Sequence, residues 1–402
     1  MLDIKAIRRD PEPALAALAR RGDGSDERLR NVLALDERRR AVLPEVEGLR
    51  KEQNDAGQGI AKAKQAGEDA SAAIAALTEV KRRRETLEAE LSTIEAEYNT
   101  ALLTVPNPPD ESAADADTVL REVGQAGATG PDHLEVAGGL IDMQAGAKVS
   151  GARFAFLRGN IVLLELALFR WALEILVAEG FEPVIPPVLV RPQALIGTGM
   201  LPDTEQQLYA LADDDLYLTG TSEVALASLH AGEAVTPPLR YAGMSPCFRR
   251  EAGAAGRDTR GILRVHQFDK VEMFSFVAPA DAADEHERLL ALEEGFLQAL
   301  DIPYRVVNIA VDDLGASAVK KYDCEAWMPG QGQYREVTST SNTTDFQARR
   351  LGIRLAGGGT AATLNGTAVT WRHLIALLEN HGGAIPEVLQ RWGAPARVDP
   401  PA

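Results

Sequence analysis

Cysteine is nearly missing from this chain. Cys247 and Cys324 are the only two among 402 residues, too far apart for a CxxC pair or a disulfide framework, so no structural zinc is expected. A long apolar run is missing too. The longest stretch, residues 161–177, is interrupted by Glu165, Arg170 and Glu174 and falls short of the ~20 uninterrupted residues that cross a bilayer. The first residues run into mixed charge and Asp10-Pro11, with no apolar signal region, so the expected location is the cytoplasm, with no membrane partner. No internal repeat and no GxxxxGK[ST] occurs, which leaves P-loop chemistry without support. Positive charge is in deficit: 42 Lys and Arg against 59 Asp and Glu give a net charge of −17, so any RNA contact must be local.

What is present is the balance of a globular protein, 45% hydrophobic and 25% charged, in a chain long enough for at least two folded units. Asp10 is expected to cap a short helix that begins at Pro11 and carries Leu15, Leu18 and Ala19. Residues 27–64 then read as one long helix, with Leu29, Val32, Leu35, Val42, Val46, Leu49 and Ile60 at helical spacing. Pro44 lies inside that run and is expected to kink or divide it. Leu77, Val80, Arg84, Leu87, Leu91, Ile94 and Tyr98 follow at alternating three- and four-residue steps, a coiled-coil period. The polar turn at residues 65–69 makes an antiparallel helical hairpin the economical structure. Residues 1–104 are therefore read as a helical arm, 105–131 as a linker, and 132–402 as a second domain.

The second domain reads as α+β with antiparallel strands. A helix is expected at 161–179, a strand at 183–190, a long antiparallel pair at 239–248 and 262–276 joined by a glycine-rich loop, and a last helix at 372–380. The loop region carries the chemistry. By the period of two, Arg249 and Glu251 share a face of the first strand, and Phe268 and Glu272 share one on the return strand. A guanidinium can hold a carboxylate and a phosphate together while offsetting their repulsion, and activation of an amino acid by ATP needs that. Taken alone, FRxE suits a solvated arginine-rich hairpin equally well.

The run FRREAGAAGRDTRGILRVHQFDKVE (residues 248–272) closely resembles motif 2 of the bacterial seryl-tRNA synthetases, a family of class II aminoacyl-tRNA synthetases. The resemblance extends over nearly the whole chain. It takes in MLDIKAIRRDPE at the start, the long hairpin, DHLE with KVSGARF, residues 181–187 as motif 1, and LTGTSE at 218–223. It continues through YRE at 334–336 and LNGT at 364–367 to LLENH at 377–381. It implies an antiparallel sheet flanked by helices, a coiled-coil arm that holds tRNA(Ser), and a homodimer with motif 1 and Pro187 at its interface. It also implies ATP, Mg²⁺ and L-serine as ligands, and a role toward tRNA(Sec).

Carried over motif by motif, the resemblance puts Arg249 between the serine carboxylate and the α-phosphate, Glu251 at the adenine amino group, Phe268 stacked on adenine and Val265 beside the nucleotide. Arg250, Val337 and Thr338 belong to the same ATP-binding stretches. Glu336 and Ser339 would face ATP and its Mg²⁺, and Arg372, in motif 3, the γ-phosphate. Thr221 and Glu223 would meet the serine amino group, Ser222 between them belongs to the same serine-binding stretch, and Glu272 and Thr367 would meet the serine hydroxyl. The segment from Thr367 to Arg372 is one or two residues shorter than is usual in the family, and His373 stands where threonine is common. A site that must hydrogen-bond a hydroxyl can reject alanine by ~10⁴ or more without editing.

Other residues have plainer readings. His266 is expected to be a hydrogen-bonded strand histidine, Cys247 and Cys324 small core residues, and Phe169 and Trp171 helix core. Arg82, Arg83 and Arg84 suit either a solvated face or RNA backbone contact, and Arg257 and Arg260 either the tRNA acceptor end or ATP. Two rivals to a tRNA ligase remain. One is a serine-adenylating relative that supplies a biosynthetic pathway. The other is a coiled-coil interaction protein with a decayed site, although a dead site has no physical need for buried charges.

Overall fold

The computed structural model describes residues 1–202, 204–253, 256 and 258–399. The chain divides into two compact units, Leu2–Val105 and Pro106–Ala402 together with Met1.

In the first unit, α1 (Ser25–Gln65) and α2 (Ser71–Leu103) form the hairpin, joined through a turn at Gly67, whose φ of +78° suits glycine. Val32, Leu35, Val46 and Leu49 are buried on α1, and Leu91, Ile94, Tyr98 and Leu102 on α2. Toward the tip, Leu77, Val80, Arg84 and Leu87 continue the seam as half-buried residues. Ion pairs cross between the helices at Arg50–Glu88 (2.7 Å) and Arg83–Glu45 (3.5 Å), and the Arg39 guanidinium lies 4.9 Å from the Tyr98 ring centre. At ~1.5 Å per residue, the 41 residues of α1 extend about 60 Å.

Pro44 does not divide α1. It removes one amide donor, but its ring sits on the exposed face, and the helix continues on either side. Asp10 is not a cap either. The helix Glu12–Ala19 takes Pro11 as its N-cap with no side-chain bond, whereas Asp3 caps the preceding turn by accepting from the Ala6 amide at 3.0 Å.

The second unit is built on an eight-stranded sheet. Its strands are β1 (Thr118–Val123), β2 (Glu182–Val184), β3 (Leu239–Phe248), β4 (Gln267–Val277), β5 (Tyr304–Asn308), β6 (Lys320–Met328), β7 (Gln333–Asn342) and β8 (Ala362–Thr370). The order across the sheet is β1-β5-β6-β7-β8-β4-β3-β2, antiparallel except where β2 runs parallel to β3. Helices α3 (Asn160–Ala178), α4 (Ala282–Ala299) and α5 (Trp371–His381) cover the sheet. Their Leu168, Phe169, Trp171, Phe296, Leu374 and Leu378 join Val271 and Met273 of β4 and Cys324 of β6 in one apolar cluster.

Three local expectations need correction. The stretch expected to be a linker carries β1, an edge strand paired from Thr118↔Asn308 to Val123↔Tyr304. Five of its six residues are exposed, so no apolar alternation marks it. The strand expected at 183–190 is split: Pro186 and Pro187 lack amide donors, and Leu189–Val190 belongs to a separate three-stranded sheet. The return strand of the long pair begins at Gln267, not at residue 262.

Two bulges shape the site. Val271 pairs with Val369 and Glu272 with Thr367, which leaves Ala368 as the extra residue of β8. Cys324 pairs with Thr338 and Glu325 with Glu336, which leaves Val337 as the extra residue of β7. The second bulge turns Glu336 and Ser339, three residues apart, to the same side.

Candidate active site

Arg249 follows the last residue of β3 and is fixed at both ends. Its amide donates to His266 O at 2.9 Å, and its carbonyl contacts His266 Nδ1 at 2.9 Å. Its Nε donates to Gly220 O at 3.2 Å, and its guanidinium carbon lies 5.2 Å from the centre of the Phe268 ring. Glu251 is not on the same strand face as Arg249. The strand has ended at Phe248, and Glu251 takes a φ of +50°, so the period of two does not reach it. Both nevertheless line one cleft of about 510 Å³, with Val265, Phe268, Lys270, Glu336, Val337, Thr367 and Arg372. Arg264 holds Glu251 at 2.5 Å and also pairs with Asp258 at 3.4 Å.

A second cleft of about 1040 Å³ shares Arg249 and Glu251 and adds Gly220, Thr221, Met200 and Leu208. At its edge Lys270, Thr221 and Glu272 close a ring. Lys270 Nζ donates to Thr221 Oγ1 at 2.9 Å, Thr221 Oγ1 donates to Glu272 Oε2 at 3.3 Å, and Lys270 pairs directly with Glu272. Burial pushes the Glu272 carboxyl up, and Lys270, Thr221 and Arg249 work against that. Glu223, at the start of the short helix Glu223–Ser228, accepts from Gln347 Nε2 at 2.7 Å. Burial first, then the like charge of Glu272, pushes Glu223 up to about 7.

Arg372 Nη1 of α5 donates to Glu336 O of β7 at 2.9 Å and lies 3.2 Å from Glu336 Oε2. Partial burial raises the Glu336 pKa, but Arg372, Lys321 and Arg249 outweigh it and hold the carboxyl below its usual value. Asp323 of β6 pairs in register with Ser339. Burial and the charge of Glu336 push Asp323 up to about 7, and among the described residues its buried Oδ1 has no hydrogen-bond partner. Among the described residues no cluster of three or more carboxylate, imidazole or thiol groups is able to hold a metal by itself.

The short junction before Arg372 has a structural basis. β8 runs straight into α5 at Trp371, and His373 completes a capping box by accepting from the Thr370 amide at 3.2 Å. Burial lowers His373 to about 3, which keeps it the neutral acceptor that the cap requires.

Other candidates point away from the clefts. Ser222 Oγ is engaged by Ser245 Oγ at 2.7 Å and Gly243 O at 3.3 Å, on the β3 side. Thr338 Oγ1 donates to Glu293 Oε2 at 2.7 Å, beneath the sheet, where burial drives the Glu293 pKa upward. Arg250 is exposed and donates its amide to Gln207 O at 2.9 Å. Arg257 lies outside the described residues, and Arg260 pairs with Asp132 at 2.6 Å. Cys247, Cys324, Phe169 and Trp171 are core residues. The sequence reading missed Lys270, Asp323 and Gln347. Lys270 had a usable signal, since it alternates with Phe268 and Glu272 on one strand face. Asp323 and Gln347 reach the site only through pairings of distant segments.

The antiparallel sheet with its flanking helices, and an arginine and an aromatic ring at one cleft, define a class II aminoacyl-tRNA synthetase core. Residues 209–381 match the class II tRNA synthetase core domain of the G, H, P, S and T enzymes, and residues 1–109 match the seryl-tRNA synthetase N-terminal domain. The chain is 47% identical to the serine–tRNA ligase of Thermobifida fusca, with 97% of each chain covered. It is 49% identical to that of Acidothermus cellulolyticus, with 95% and 94% covered. The structure of seryl-tRNA synthetase from Pyrococcus horikoshii complexed with ATP superposes with a TM-score of 0.93 at 39% identity over all of both chains. The cytoplasmic enzyme of Naegleria fowleri in complex with AMP gives 0.87 at 28%, with 97% and 96% covered. The chain belongs to the seryl-tRNA synthetase family.

Proposed function

We propose that the chain activates L-serine with ATP and transfers it to tRNA(Ser), and to tRNA(Sec) as well. In the first step a serine carboxylate oxygen attacks the α-phosphorus, pyrophosphate leaves, and seryl-adenylate forms. In the second step a hydroxyl of the terminal tRNA ribose attacks the seryl carbonyl and AMP leaves. No side chain forms a covalent bond; the protein contributes charge neutralisation and in-line positioning. The single observation that carries this reading is Arg249, anchored by Gly220, His266 and Phe268 so that its remaining guanidinium nitrogens are available between two adjoining clefts.

Each remaining group then has a task. Phe268 offers a ring to adenine, and Glu251, pinned by Arg264, an acceptor for its amino group. Arg372 meets the outer phosphates. Glu223 and Thr221 receive the serine ammonium, and Glu272, paired with Lys270, accepts from the serine hydroxyl while Thr367 pairs with Glu272 across the bulge. Glu336 and Ser339 would hold Mg²⁺ through hard oxygens, with Asp323 Oδ1 adjacent, and such a sparse donor set suits an ion that also binds phosphates and water. When bound, the ion supplies neutralisation of the triphosphate.

The matched N-terminal domain favours tRNA over a carrier protein as the acceptor. Exposed Leu163, Leu166 and Val177 on α3, with Ile185 at 86% exposure, support a homodimer through this face. Among the described residues no helix is long and apolar enough to cross a membrane, and we place the enzyme in the cytoplasm. Serine-dependent exchange of labelled pyrophosphate into ATP tests the reading. Exchange with serine, and at least ~10³-fold less with alanine, is expected; equal exchange with either amino acid would refute the serine pocket.

A further inference from the structure

Two stretches of the sequence, DHLE and LLEN, have no task in the chemistry above, and the fold brings them together. His133, at the start of the short helix His133–Ala137, and Glu379 of α5 are both buried. His133 Nδ1 lies 2.8 Å from Glu379 Oε1, and the His133 amide donates to the same oxygen at 3.1 Å. Glu379 Oε2 accepts from the Gly330 amide at 2.8 Å, so the carboxylate ties the helix start to the β6–β7 turn.

The far side of the ring faces the loop that ends the nucleotide cleft. The Ile262 amide donates to His133 Nε2 at 3.1 Å. A ring nitrogen that accepts an amide proton is unprotonated, so the ring proton is on Nδ1 and points at Glu379. Gly261 packs against the same edge: a Cβ there would lie 2.1 Å from His133 Nε2. Beside this contact, Asp132 holds Arg260 at 2.6 Å. The next residues of the loop, Ile262 to Val265, line the nucleotide cleft, and Arg264 among them fixes Glu251.

We infer that His133, oriented by Glu379, is a positioning residue that latches the C-terminal leg of the motif 2 loop through the Ile262 amide, and thereby sets the affinity for ATP but not for serine. The inference rests on the assignment of this cleft to ATP. The geometry predicts a directional effect. Asparagine at 133 reproduces the Nδ1 donor and removes the Nε2 acceptor, whereas glutamine places its oxygen near Nε2 and restores it. An amide left buried without an acceptor weakens the arrangement enough for about a tenfold effect.

The test uses full-length protein in serine-dependent pyrophosphate exchange, with KM for ATP and for serine measured separately, and with hydrogen exchange of the 258–265 segment read by mass spectrometry. Expected for H133N is a rise of about tenfold in KM for ATP, a serine KM within twofold of wild type, and faster hydrogen exchange in that segment. H133Q is expected to recover most of each change. Equal behaviour of the two variants, a parallel rise in both KM values, or an unchanged segment in folded H133N would overturn the inference. If H133N does not fold, H133Q and the wild type decide: rapid exchange of the Ile262 amide in the wild type, or a selective ATP defect in H133Q as large as tenfold, would overturn it. Absence of serine-dependent exchange in the wild type would instead refute the proposed function, while the hydrogen-exchange comparison would still judge the latch.

Discussion

Replacing Arg249 by lysine keeps the positive charge and removes the fork. In the wild type the backbone at 249 is locked to His266, Nε is committed to Gly220 O, and the plane lies against Phe268. The terminal nitrogens are thus aimed without further loss of freedom. A charge-assisted hydrogen bond contributes about 1.5–3 kcal/mol, and stacking against the ring about 0.5–1 kcal/mol more. Lysine can make one such bond to either reactant but cannot bridge both or hold the Gly220 carbonyl. The expected loss is therefore about 2–4 kcal/mol of transition-state stabilisation, or roughly 30- to 900-fold in kcat/KM. Pyrophosphate exchange at saturating Mg²⁺, with circular dichroism to confirm the fold, measures it. A folded R249K within threefold of wild type would refute the bridging role.

Lys270→Met breaks a buried ion pair, which costs about 3–5 kcal/mol unless Glu272 takes up a proton; the expected result is a rise of at least tenfold in the serine KM, and an unchanged serine KM would contradict the ring of Lys270, Thr221 and Glu272. Glu223 sits near 7, so it is protonated below that pH and ionised above it. If it receives the serine ammonium, kcat/KM for serine rises with pH up to about 7 and then levels, and E223Q loses the rise; a wild-type profile already flat from pH 5.5 upward would oppose that assignment. Deleting residues 27–104 is expected to leave adenylate formation within a few-fold of wild type and abolish charging of tRNA(Ser), and normal charging by the truncated protein would end the case for RNA contact by the arm.

Much of the arm was legible because its helices bury a narrow seam. Leu91, Ile94 and Tyr98 form its inner part, and even Arg84 falls where the three- and four-residue steps place it. The strands β3 and β4 also carry their signals locally. β1 gave none, because it is exposed on the sheet edge and its pairing with β5 joins segments nearly two hundred residues apart. The site was legible where the motif is contiguous: Arg249, Val265 and Phe268 do line one cleft. The shared strand face was misread where the backbone leaves the regular period, at Glu251 with its positive φ, and the directions of the Ser222 and Thr338 hydroxyls, toward β3 and α4, depend on packing that no local pattern records. The bulge at Val337, which unites Glu336 with Ser339, exists only as a mismatch between two strands, and no single segment records it.

The most direct test of the central claim is aminoacylation itself: purified protein, ATP, Mg²⁺, labelled L-serine and a tRNA(Ser) transcript. The account predicts serine esterified to the transcript, with AMP and pyrophosphate released in equal amounts, and no charging when the terminal ribose is oxidised. Robust formation of seryl-adenylate without any transfer to tRNA would contradict it.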